Sequence, residues 1–180
     1  MKAPSTLPRP SVEPEHLLLP VNPRFIWLTL FLAWLVNLLP WGQVGGVPDV
    51  LALVLVFWSV HEPRRVGMAT AFVLGLLMDV HGSSRLGEHA LSYTLLAYFA
   101  ILLHRRLSWF SPWLQALQVL PVFFLAELAV FCIRGWLEGS WPGWWWAMNS
   151  VISALLWPLA GWILQAPQRR PVDPDDTRPI

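Results

Sequence analysis

The fold of this chain is decided by residues 62–91, EPRRVGMATAFVLGLLMDVHGSSRLGEHAL, which form two apolar stretches around a short polar turn. Small residues recur in both stretches at helical spacing, so each set falls on one face of its helix. The first set is Gly67, Ala71 and Gly75, continued by Asp79, and the second set is Gly87, Ala90, Thr94 and Ala97. Small residues at this spacing let helices approach closely inside a bilayer. The pattern therefore predicts two packing faces, which either serve each other inside the bundle or leave one face outward for a partner's helix. Ordinary glycines and alanines in apolar helices are the simpler interpretation.

The composition is that of an integral membrane protein. Hydrophobic residues make up 56% of the 180 residues and charged residues 13%, against about 45–50% and about 25% in soluble chains. The apolar residues fall into six blocks, at 25–41, 45–60, 66–80, 87–103, 113–137 and 144–164. We therefore predict an all-α membrane domain of six transmembrane helices over residues 25–164. A proline-rich tail, 1–24, without signal-peptide features precedes it, and a second polar tail, 165–180, follows it.

Charge placement predicts the orientation of these helices. Blocks two and three are shorter than the ~20 residues of a spanning helix, so they form either two short spans or one re-entrant hairpin. Arg64 and Arg65 join them, and burying both at mid-bilayer is costly, which favours two spans. With the N-terminus inside, ten of the 12 Lys and Arg are cytoplasmic, and only Arg85 and Arg134 are not. This asymmetry predicts a multi-pass inner-membrane protein with both termini in the cytoplasm.

The 13 tryptophans are interpreted as interface markers, because amphipathic rings favour the headgroup level. Several cluster near residues 136–146, at the last external turn. Trp58, Trp109 and Trp113 are expected at the cytoplasmic interface. Trp27, Trp34 and Trp41 lie seven residues apart and form a stripe along one side of the first helix. Such a stripe is more typical of lipid-facing or packing surface than of a cofactor site, so no cofactor is expected.

Two ionisable residues lie at membrane depth in block five. Glu127 and Arg134 are seven residues apart on one helix face, about 10.5 Å along the axis, so a water or a third group would have to join them. For Glu127, protonation, a partner within the bundle and a contact with another protein all remain open, and so do a hydrogen bond that fixes bundle packing and a functional role.

The predicted external turn collects Asp79, His81, Glu88 and His89. Two histidines and two carboxylates are chemically suited to a metal, but their spacing matches no metal motif, so no metal is expected. Asp79 has two other options: capping the helix that starts across the turn, or pairing with Arg85. No nucleophile with its base, phosphate-binding glycine loop or nucleic-acid-binding patch is present in the sequence, and an intramembrane enzyme would rest on Glu127 and the Asp79 cluster alone.

Residues 48–98 resemble the MreD family of rod shape-determining proteins. The resemblance is carried by the segments PD, VLALVLVFW, EPRRVG, AFVLGLLMD, LGEHAL and TLLAY. Its most specific part is Gly75-Leu76 with Asp79, followed by Leu86-Gly87 with Ala90 and Leu91. Outside this region the resemblance is one of length and hydropathy.

The resemblance implies a non-enzymatic scaffold of the bacterial cell-wall elongation machinery, which helps to maintain rod shape by organising peptidoglycan synthesis. Implied partners are the single-span protein MreC, the actin-like MreB, the glycosyltransferase RodA and a class B penicillin-binding transpeptidase. The family fold is similar to the membrane-embedded substrate-binding subunits of energy-coupling-factor transporters, which makes a ligand-binding transporter subunit the alternative. Such a subunit is expected to hold a roomy polar pocket near the external helix ends.

Overall fold

The computed structural model of the chain describes residues 21–39, 48–81, 86–107, 109–139, 143 and 145–168. These residues form six α-helices, one 3-10 turn and no strand. The helices are α1 (Pro23–Leu38), α2 (Val50–His61), α3 (Met68–His81), α4 (Glu88–Leu107), α5 (Pro112–Glu138) and α6 (Trp145–Gln165), and the turn is Ala166–Gln168. The predicted all-α chain of six helices is thus confirmed for the described residues, while most of both tails lies outside them.

Local chemistry explains where several helices begin and end. Pro23 occupies the first turn of α1, and the Asn22 side chain accepts a hydrogen bond from the Arg24 N–H at 3.1 Å. Asp49 caps α2 in the same way, through the Ala52 N–H at 2.8 Å. The α5 helix is followed by Gly139, whose φ of +66° is the left-handed conformation that glycine adopts without strain.

Four of the six helices form a closed ring, and the other two lie outside it. In the ring, α2 packs on α4 and α6, and α5 packs on α4 and α6. Outside it, α1 packs chiefly on α2, and α3 chiefly on α4. The α2 helix is the inner element, because residues 51–60 are all buried. A helix that is apolar on every side needs such an enclosed position.

The prediction that Trp58 lies at the cytoplasmic membrane interface is wrong, because this residue is buried inside the bundle. The side chain is 0% exposed, and its indole N–H donates to Thr29 Oγ1 at 2.9 Å. The Phe25 and Phe57 rings pack edge-on against the Trp58 indole. The α1 helix covers the end of α2 here, which sequence position could not reveal. Trp109 and Trp113, in contrast, lie at the surface.

Two described stretches, Pro112–Leu137 and Trp146–Gln168, are long and apolar enough to cross a bilayer. Pro23–Leu38, Val50–His61 and Met68–His81 are apolar but shorter. Large apolar side chains are nevertheless exposed along several helices, which is the surface that a membrane protein presents to lipid rather than to water.

Candidate functional site: a helix seam and a polar cavity

Helices α3 and α4 touch backbone to backbone at Gly75. A Cβ atom on Gly75 would lie 2.5 Å from Ala90 Cα, and 2.6 Å from both Ala90 N and His89 O. These are backbone atoms, so none of them can rotate out of the way. Ala71, one turn earlier on α3, is completely buried. We call this contact, formed by Ala71, Gly75 and Asp79 on α3 and Ala90 on α4, the α3–α4 seam.

Asp79 extends the seam by capping α4 from the neighbouring helix. The residue is 1% exposed. Its Oδ2 accepts from the Gly87 N–H at 2.7 Å and the Ala90 N–H at 3.3 Å. Its Oδ1 accepts from the His89 N–H at 2.8 Å and lies 2.9 Å from His89 Nδ1. The carboxylate thus satisfies N–H groups that a helix start leaves without partners, and it lies at the positive end of the helix dipole.

Capping is therefore the option that Asp79 takes, while Arg85 lies outside the described residues. His89 bonds Asp79, and Glu88 forms an ion pair with Arg134. Among the described residues, no group of three His, Cys, Asp or Glu side chains could hold a metal ion.

The remaining small residues of the two sets have other positions. Gly67 precedes α3, and a Cβ there would meet only Pro63 O at 3.7 Å. Gly87 precedes α4 with φ +104°, and no atom lies within 4 Å of its would-be Cβ. Its backbone conformation, not close packing, calls for glycine. Thr94 donates within α4, to Ala90 O at 2.6 Å. Ala97 is completely buried.

A polar cavity of about 360 Å³ opens at the end of the bundle where α2, α4 and α6 begin and α5 ends. The side chains that line it come mostly from these helix ends. They are Asp49, Glu88, His89, Ser92, Tyr93, Glu127, Val130, Phe131, Arg134, Trp146 and Asn149, with Gly143 beside them. By the predicted orientation this end is the external one, where a pocket is expected in a ligand-binding subunit.

Asp49 joins three helices at the floor of the cavity. Besides capping α2, its Oδ1 accepts from Asn37 Nδ2 at 2.6 Å. Its Oδ2 accepts from the Tyr93 hydroxyl at 2.6 Å. The carboxylate therefore has three donors, from α1, α2 and α4. Hydrogen bonds to an ionised group are the stronger ones, so this network fixes how the three helices meet.

Glu127 and Arg134 both line the cavity, but they do not pair with each other. Arg134 forms its ion pair with Glu88, across the α4–α5 contact. Glu127 is partly buried, and among the described residues it makes no hydrogen bond or ion pair. The sequence indicated Glu127 and Arg134 because both are ionisable residues inside a long apolar segment. Sequence reasoning missed Glu88 as the partner, and Asp49 and Tyr93 as a bonded pair, because neither contact is encoded in local spacing.

Comparison with known proteins places the chain in a family. A family model described as rod shape-determining protein MreD matches residues 21–166. A relative from Haemophilus influenzae, named rod shape-determining protein MreD, is 32% identical over 143 residues, which is 75% of this chain and 88% of the relative. No solved structure matches the chain.

Proposed function

Because the chain belongs to the MreD family of rod shape-determining proteins, we propose that it is a non-enzymatic scaffold of the cell-wall elongation machinery. In this role it binds MreC and helps to organise peptidoglycan synthesis. The observation that carries the proposal is the extent of the family match, which includes all six helices. MreB, RodA and a class B penicillin-binding transpeptidase are the further members of the assembly that we propose.

We place all six helices across the inner membrane, with both termini in the cytoplasm. The arginine pairs 64–65 and 105–106 lie at one end of the bundle, and the polar cavity lies at the other. Cytoplasmic loops of membrane proteins are rich in arginine and lysine. The shortness of α2 fits a span, because a helix enclosed by protein need not match the lipid thickness.

Reporter fusions test this topology. Fusions after Arg65 and Arg106 are expected to read cytoplasmic, because the arginine-rich connections stay inside. Fusions within 81–86 and 138–143 are expected to read external. Alkaline phosphatase and a cytoplasmically fluorescent protein give complementary signals at each position. A cytoplasmic signal at 138–143 would contradict six spans.

We place the MreC helix on the outward face of α3. This helix packs chiefly on α4, so much of its surface has no neighbour within the described chain. The outward face is apolar, with side chains 46–68% exposed: Met68, Phe72, Val73, Leu77 and Val80. The seam on the opposite side of α3 holds this face in a fixed position. A single-span partner would add van der Waals packing, which drives helix association in lipid.

Site-specific photocrosslinking tests the docking face without weakening the fold. A benzophenone amino acid at Val73 or Leu77 is expected to capture MreC in native membranes. Leu155 and Leu159, which are 63% and 52% exposed on α6, serve as matched controls and are expected to give little MreC adduct. Equal or stronger capture from the α6 positions would move the interface away from α3.

A further inference from the structure

The polar cavity contains a carboxylate that the described residues leave without a hydrogen bond. Glu127 lines the cavity and makes no hydrogen bond or ion pair with any described residue. The other carboxylates of the cavity are occupied. Asp49 has three donors, and Glu88 pairs with Arg134. Glu127 can therefore accept hydrogen bonds from a bound donor, and its carboxylate is the one among the described lining residues that no described donor or cation bonds.

The walls beside Glu127 suit a cation. Tyr93, Phe131 and Trp146 line the cavity, where Trp146 also packs against Phe131 and Phe124 with ring centroids 5.0 and 5.1 Å away. Aromatic faces attract ammonium and guanidinium groups, most strongly where water is excluded. An anion is disfavoured, since Glu88 already neutralises Arg134. The volume, about 360 Å³, is at the lower end for small-molecule sites.

We propose that this cavity binds a primary amine or a guanidinium, with the Glu127 carboxylate as its counter-ion and the aromatic side chains around its cation. An unpaired carboxylate in a membrane protein's interior is costly, and a bound cation removes that cost. The cation is carried either by a small molecule or by a lysine or arginine side chain of a partner. The site does not depend on MreC docking to α3, since its residues come from α2, α4, α5 and α6.

Ligand-observed NMR on the full chain in phosphatidylcholine nanodiscs tests the chemistry. The probes are n-butylamine, n-butylguanidine and n-butanol, which share the alkyl chain and differ in charge. The two cations are expected to show saturation transfer and the alcohol to show none. Glu127→Gln, nearly isosteric, is expected to weaken cation binding at least about tenfold, the loss of one charge-assisted hydrogen bond. Glu62→Gln, on the connection at the opposite end, is the matched control and is expected to bind normally.

Carbodiimide coupling in native membranes separates the two sources of an amine. An amide adduct between Glu127 and a partner chain, absent in Glu127→Gln, would identify a partner's lysine as the occupant. Probe binding without any adduct would exclude a partner's lysine and leave a free cation or a partner's arginine, whose guanidinium stays protonated and does not couple. Equal binding of n-butanol and n-butylamine would overturn the proposal. So would unchanged cation binding by a Glu127→Gln variant with a wild-type melting temperature.

Discussion

Gly75→Ala is expected to destabilise the protein strongly, although it adds a single methyl group. The new Cβ would overlap the backbone of Ala90 and His89 at 2.5–2.6 Å, so α3 and α4 would have to separate. Overpacking of an interior commonly costs about 1–3 kcal/mol. A backbone obstacle that cannot rotate away places this site at the upper end of that range. Thermal melting of the purified protein and its level in membranes measure the effect.

The chain offers a matched control for this substitution. Gly161 lies within α6, and a Cβ there would have Phe57 Cε2 at 3.9 Å as its nearest neighbour, an ordinary contact. Gly161→Ala is therefore expected to be neutral or stabilising, since alanine favours a helix over glycine by up to about 1 kcal/mol. A Gly75→Ala variant as stable as Gly161→Ala would show that the seam is not closely packed.

Asp79→Ala is expected to have the second large effect. Removing the carboxylate leaves the N–H groups of Gly87, His89 and Ala90 without their acceptor at the start of α4. The Ala90 donor is buried and the other two are partly buried. A buried donor without a partner costs about 1–3 kcal/mol, so the loss of stability should be about 2–3 kcal/mol. Asp79→Asn is expected to lie between this variant and wild type, because its amide N–H₂ would face donors. Chemical unfolding in detergent measures all three proteins.

His89→Gln is the control for the cap. It removes the imidazole contact to Asp79 but keeps the backbone N–H of residue 89, so a cost of about 1 kcal/mol is expected. If Asp79→Ala melts like wild type and yet abolishes rod shape, the carboxylate has a direct functional role and the capping account fails.

The sequence was informative wherever the signal was local. Long apolar blocks predicted six helices, because burial or lipid contact requires continuous hydrophobicity. The Asp79 cap was one of two stated options, since its turn is short enough to bring a carboxylate to the next helix start. The spacing placed too many small residues on the helix faces, because Gly67 and Gly87 lie just before α3 and α4 and not within them. Gly87 is required instead for a positive φ, which periodicity does not encode.

Long-range contacts were not predictable. Tyr93 meets Asp49, and Arg134 meets Glu88, only because the ring of helices brings distant segments to one end. Trp58 was assigned to the membrane interface from its position near a helix end, yet α1 packs over it. In each case the deciding quantity is how helices pack, which depends on the shape of whole faces rather than on residue spacing.

We propose that this chain maintains rod shape by holding MreC in the membrane. The most direct test replaces the MreD of a rod-shaped bacterium with a tagged copy of this chain. MreC recovered from solubilised membranes is then quantified beside cell shape. We expect rods with MreC in roughly stoichiometric amounts, and loss of both with Gly75→Ala but not with Gly161→Ala. Normal rods from which no MreC is recovered with the chain would contradict the account.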